Sequence, residues 1–193
     1  VYNNLARNYL EINKPDSVLK YGNLTYEVGR KINNEYGLGV SGRLLGEYFL
    51  IIQKLDSAYV YFRLSSFYCN KNNMFPILAQ VQQGLSRYFL KIKQPDSALV
   101  YAKASLNTIL QNPVKFASWT EDAGPFLADS YPLITELYQQ LHKTDSALLY
   151  SQLTLQIRDS LYNAEKIRQF QNLTFNESFR KQQEEEKVQQ EKQ

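Results

Sequence analysis

A chain of 193 residues that is 44% hydrophobic and 21% charged has the composition of a folded protein, which excludes a disordered tail. Its net charge of +3 is small, and basic residues are spread among acidic ones, so nothing points to nucleic acid as a partner. A single cysteine, Cys69, excludes an intramolecular disulfide, and no apolar run nears the roughly 20 residues needed to cross a bilayer.

The first element, VYNNLARNYLEIN, begins inside a helical pattern with no cap before it, and the chain ends on KQQEEEKVQQEKQ with no stop signal. It therefore reads as a piece of a longer protein, with any membrane attachment supplied by segments outside it. KPDSVLKY follows at 14–21 and returns as KLDSAYVY at 54–61, QPDSALVY at 94–101 and KTDSALLY at 143–150. The Asp-Ser pairs start at Asp16, Asp56, Asp96 and Asp145, at spacings of 40, 40 and 49.

More than the turn repeats. Before each turn stands a small residue (Ala6, Gly46, Ser86, Thr135), preceded by Leu5, Leu45, Leu85 or Ile134 and followed by Tyr9, Phe49, Phe89 or Tyr138. After it come Val18, Ala58, Ala98 and Ala147, then Tyr21, Tyr61, Tyr101 and Tyr150, and finally Thr25, Ser65, Ser105 and Thr154. Small residues let two helices approach, and aromatics fill the wider gaps. The pattern predicts helical hairpins over about 1–33, 34–72, 73–112 and 118–155. In each turn the Asp is expected to act as N-cap, with Pro15 and Pro95 stopping the preceding helix.

Residues 112–126, NPVKFASWTEDAGPF, form an insertion in the fourth unit. A short helical turn is expected, with a Ser118/Glu121 capping box and with Pro125 and Pro132 limiting the next helix. Trp119, the only tryptophan, either contacts a partner or plugs a packing gap. From Ser146 the helical pattern runs on without Gly or Pro. Apolar residues recur at Leu153, Ile157, Leu161, Ala164, Ile167, Phe170, Leu173 and Phe179. Residues 156–193 are thus expected to form a C-terminal capping or connecting helix, which either packs on the last hairpin or pairs with a second copy as a coiled coil.

The order L-small-x-x-aromatic, then A-x-x-aromatic, resembles the tetratricopeptide repeat over residues 1 to about 155. That resemblance implies an all-α, right-handed α-solenoid of about four hairpins. The period near 40 exceeds that family's 34, so the helices should be longer. RDSLYNAEKIRQFQNLTF and the Glu/Lys/Gln-rich helix after it resemble a linker in membrane histidine kinases of Bacteroidetes-type bacteria. There it joins tetratricopeptide sensor regions to a transmembrane helix and kinase core. The resemblance implies a non-catalytic sensor region of a two-component kinase, on the periplasmic side of the inner membrane. A free-standing scaffold or adaptor, or the sensor half of a transcriptional regulator, are the alternatives.

Chemistry finds little support. His142 is the only histidine, and it sits near a helix C-terminus; Cys69 lies in a helix as a small packing residue. No glycine-rich nucleotide loop or metal-ligand spacing is present, so no catalytic, cofactor or metal residue is assigned. In the resembling fold the first helix of each hairpin lines a groove that takes a protein or peptide. The register places Asn3, Arg7, Glu11, Arg43, Glu47, Gln83, Arg87, Lys91, Glu136 and Gln140 there. Arg7, Arg43, Arg87 and Lys91 would give a basic strip suited to an acidic peptide or carboxylate. The carboxylate clamp of chaperone-binding members is not reproduced, since Leu44 and Gly84 occupy two of its places.

Overall fold

The computed structural model describes residues 2–12, 14–120 and 123–191, without the side chains of Asn3, Glu11, Ser118, Trp119, Thr120, Lys181, Gln182 and residues 184–191. The described residues are all-α, with no strand among them. In chain order the helices are α1 (Tyr2–Glu11), α2 (Pro15–Lys31), α3 (Glu35–Ile51), α4 (Leu55–Lys71), α5 (Phe75–Lys91), α6 (Pro95–Gln111), α7 (Pro113–Thr120), α8 (Gly124–Gln140) and α9 (Thr144–Glu191). They fall into two units, Val1–Thr154 and Leu155–Gln193.

Within the first unit each helix from α1 to α6 packs on the next, and α6 packs on α8. Alternate helices also touch, α1 with α3 and α3 with α5. Helix α3 is thereby enclosed by α1, α2, α4 and α5, and every residue from Gly37 to Tyr48 is buried.

The turns close by backbone geometry. Asn33, Gln53, Asn73, Lys93 and His142 take φ between 51 and 60°. The amide one residue later donates to the carbonyl five back: Asn34 to Gly29, Lys54 to Phe49, Met74 to Cys69, Gln94 to Phe89 and Lys143 to Tyr138, at 2.8–2.9 Å. This six-to-one bond on a left-handed residue satisfies carbonyls that a helix end leaves open. It corrects two expectations. The N-caps of α2, α4 and α6 are Lys14, Lys54 and Gln94, with no side-chain cap bond. Asp16, Asp56 and Asp96 sit inside the first turn, where the helix dipole favours a carboxylate. Likewise Pro15 and Pro95 begin the second helix of their hairpins, where a missing N–H costs nothing; they do not stop the first.

Inside each hairpin the repeated aromatics meet, face to face in the first three and tilted by 30° in the last. Ring centroids lie 5.5 Å apart for Tyr9 and Tyr21, 5.3 Å for Phe49 and Tyr61, 5.2 Å for Phe89 and Tyr101, and 5.6 Å for Tyr138 and Tyr150. Each pair adds about 0.5–1.5 kcal/mol beyond its area. Val18, Ala58, Ala98 and Ala147 are buried at the helix crossings. Ser65 Oγ donates to Gly39 O at 2.5 Å and Ser105 Oγ to Ala79 O at 2.9 Å, so the second and third hairpins share one cross-helix bond. Thr25 and Thr154 instead donate to Tyr21 O and Tyr150 O in their own helices.

The larger spacing before the last turn is absorbed by α7, whose helix packs on α5 and α6. Its anchor is Phe116, fully buried and edge-on to Phe126 with centroids 4.7 Å apart. Pro125 stands in the first turn of α8, but Pro132 lies within that helix and does not limit it. The Trp119 side chain and the Ser118/Glu121 capping box lie outside the described residues.

The second unit is helical throughout its described length. Leu155, Tyr162, Ile167, Phe170, Leu173, Phe175 and Phe179 are all more than half exposed. Phe175 and Phe179 stack on each other at 6.3 Å, as the i,i+4 spacing of a helix allows.

Candidate partner-binding face

The helices that open the hairpins, α1, α3, α5 and α8, carry the predicted positions. Aligned on the repeat, Arg7, Glu47, Arg87 and Glu136 are equivalent and alternate in sign from one helix to the next. One turn earlier stand Asn3, Arg43, Gln83 and Pro132. The face is therefore a lattice of opposite charges, and the neutralising pair between α3 and α5 is formed. Arg87 Nη2 donates to Glu47 Oε1 at 2.5 Å. Glu47 is nearly enclosed, its side chain 11% exposed against 43% for Arg87.

Gln83 is buried and donates through Nε2 to Ser130 Oγ at 2.9 Å, tying α5 to α8. Ser130 Oγ in turn donates to Phe126 O, also at 2.9 Å. Asp129, exposed on α8 next to Ser130, has its carboxyl pushed up by desolvation, while Arg87 draws it down. Arg7, Lys91, Glu136 and Gln140 are exposed, with Gln140 Nε2 donating to Glu136 Oε1 at 3.2 Å. The side chains of Asn3 and Glu11 lie outside the described residues.

Arg43 stands apart. It is 7% exposed, and its Nε has no hydrogen-bond partner. Desolvation lowers its pKa from the ordinary arginine value; Glu47 opposes the shift, while Arg87 and Arg7 add to it. A guanidinium stays charged in a protein, so burying it near two other guanidinium groups is a cost carried by the fold, which Glu47 partly offsets. The basic strip expected from the register is thus not an open row of four cations. Arg43 is enclosed, Arg87 is engaged by Glu47, and Arg7 and Lys91 remain at the surface.

Other groups have structural explanations. Cys69 is fully buried beside Ser65, with 3.8 Å between Sγ and Oγ, and burial pushes its thiol up to about 11. His142 occupies the left-handed turn after α8, and its backbone amide donates to Gln139 O. Among the described residues no three His, Cys, Asp or Glu side chains are grouped to hold a metal ion. No helix among them is long and apolar enough to cross a membrane. A recess of about 370 Å³ at the α8–α9 turn is lined by Gln139, His142, Lys143, Thr144, Ala147, Leu148 and Ser151.

Ser130 and Asp129 were not visible as members of this face. Ser130 follows Phe126 by four residues and precedes Ile134 by four, on the buried stripe of α8. A polar residue on that stripe was the available signal. The chain matches no family model and no curated protein.

Proposed function

We propose that the chain is a non-catalytic interaction region, built from four tetratricopeptide-like hairpins in a right-handed stack, whose first-helix face binds a protein or peptide. The observation that carries this reading is the pair of aromatic rings in contact at the same register of all four hairpins, stacked in three and tilted in the fourth. Invariant joints of this kind build a scaffold, and variable residues between them give it a specific surface. Here the variable residues are the charged ones of α1, α3, α5 and α8.

In the parent protein this region acts as the sensor of a two-component histidine kinase on the periplasmic side of the inner membrane. A partner on the face biases the placement of α9, and the helix carries that bias onward. Pairing of the second unit with another copy supplies the two-fold arrangement such a relay needs. Its exposed Ile167, Phe170, Leu173 and Phe179 support that pairing.

The gene downstream of residue 193 provides the test. The reading predicts an apolar stretch of about 20 codons and then a helix bearing a phospho-accepting histidine. A stop codon directly after residue 193 would overturn the kinase assignment in favour of a free-standing scaffold. A DNA-binding domain in its place would make this the sensor half of a transcriptional regulator.

A further inference from the structure

In the stack α3 covers α2, α5 covers α4 and α8 covers α6. The start of α9 is the second helix of the fourth hairpin, and it repeats α6 closely: DSALLYS at 145–151 against DSALVYA at 96–102. On α6, Leu99 is 8% exposed and Ala102 1%, in one core cluster with Ile134, Leu137 and Tyr138 of α8. Leu148, the same residue as Leu99 at the same register, is 59% exposed, and Ser151 is half-buried. Both line the recess of about 370 Å³ at the α8–α9 turn. The next residue gives the contrast. Leu149 is exposed, but its equivalent Val100 stays 65% exposed with α8 in place. The exposure of Leu148 is thus specific to the surface on which α8 sits in the hairpin before.

The interface between α6 and α8 defines what fits such a surface: an amphipathic helix with apolar residues at the i, i+3, i+4 spacing of Ile134, Leu137 and Tyr138. A second copy stacked end to end would not supply it. Its α1 carries Asn4 and Asn8, both exposed, at the places that Leu133 and Leu137 hold on α8. Laying two amides on Leu148 would bury polar groups without partners. The residues after Leu155 hold no Leu/Ile-small-x-x-aromatic run, which every hairpin-opening helix has.

We propose that the Leu148 side of α9, with the recess beside it, is an interaction surface for one amphipathic helix of a partner protein, whose apolar stripe repeats that of α8. The surface uses none of the charged residues of the first-helix face.

The probe is α8 itself: a fluorescent synthetic peptide of residues 124–141, titrated with the 193-residue chain and read by anisotropy. Saturable binding is expected, weakened about tenfold by Leu148→Glu and unchanged by Leu149→Glu. Both leucines are exposed, so neither variant should move the urea midpoint. A peptide carrying Leu137→Glu should not bind. The inference is overturned if wild type shows no saturable binding, if Leu148→Glu binds as wild type does, or if Leu149→Glu weakens binding equally. It is also overturned if a peptide of residues 157–179 competes for the Leu148 side, which would give the surface to the chain's own C-terminal helix. A sedimenting dimer that Leu148→Glu dissociates would give it to a second copy and overturn it likewise.

Discussion

Phe62 shows how much of this fold depends on what is missing from its neighbours. The ring is fully buried, and a Cβ built on Gly46 would stand 2.6 Å from it, one on Gly84 2.5 Å. The two glycines, on α3 and α5, leave the space that a side chain from α4 fills. Replacing Gly84 by Ala gains about 1 kcal/mol of helix propensity. Forcing a carbon into a packed ring costs about 1–3 kcal/mol. Gly84→Ala should therefore lower the urea midpoint, and adding Phe62→Leu should recover part of the loss; a midpoint raised by Gly84→Ala alone would show that the ring is loosely held. Cys69 gives a second prediction at this scale. Its thiol sits at about 11 in the fold against an ordinary 9.0, so the folded state holds the proton that the unfolded state releases. That contribution is complete below pH 9 and is lost as pH rises towards 11. Native protein should resist a thiol reagent at pH 8 and lose stability between those values, and Cys69→Ala should flatten that part of the profile.

At the scale of elements, joints that look alike in sequence are held by a device the sequence shows only faintly. Gln53 and Lys93 take a left-handed conformation that costs a non-glycine residue about 1–2 kcal/mol. Glycine at either site should raise stability by about 0.5–1 kcal/mol, part of the gain being offset by the looser unfolded chain. Valine there should destabilise, as chemical denaturation would record. The Phe89–Tyr101 stack can be tested by a double-mutant cycle to alanine, with a coupling of about 0.5–1.5 kcal/mol expected. The hairpins themselves were legible, because small and aromatic residues recur at a fixed distance and each has only one way to pack. The stops were not, since a left-handed backbone at Gln or Lys leaves no mark in residue type. Phe116 was overlooked beside Trp119 because the burial of a lone aromatic depends on α5 and α6, far away in the chain.

For the whole molecule the same distinction separates the repeated from the specific. The register puts Arg87 and Glu47 at equivalent places on neighbouring first helices, and they meet there as charges of opposite sign should. It did not predict that Arg43, Glu47 and Gln83 are buried, because that follows from α3 and α5 being enclosed by neighbouring helices. Charge reversal is therefore best placed at Arg7 and Lys91, which are exposed and whose loss leaves the core intact. In the second unit, the exposed apolar side chains predict a dimer by sedimentation equilibrium, reduced to monomer when the chain ends at Thr154. A 193-residue chain that sediments as a monomer would remove the paired-helix relay from the account. The central claim, that the first-helix face binds the partner, is tested most directly by quantitative affinity capture from the source cells. Wild type is compared with Arg7→Glu/Lys91→Glu and with Val60→Glu/Val100→Glu, whose valines are exposed on the second helices α4 and α6. The account predicts a protein retained by wild type and by the valine variant and lost from the Arg7/Lys91 variant; loss from the valine variant alone would contradict it.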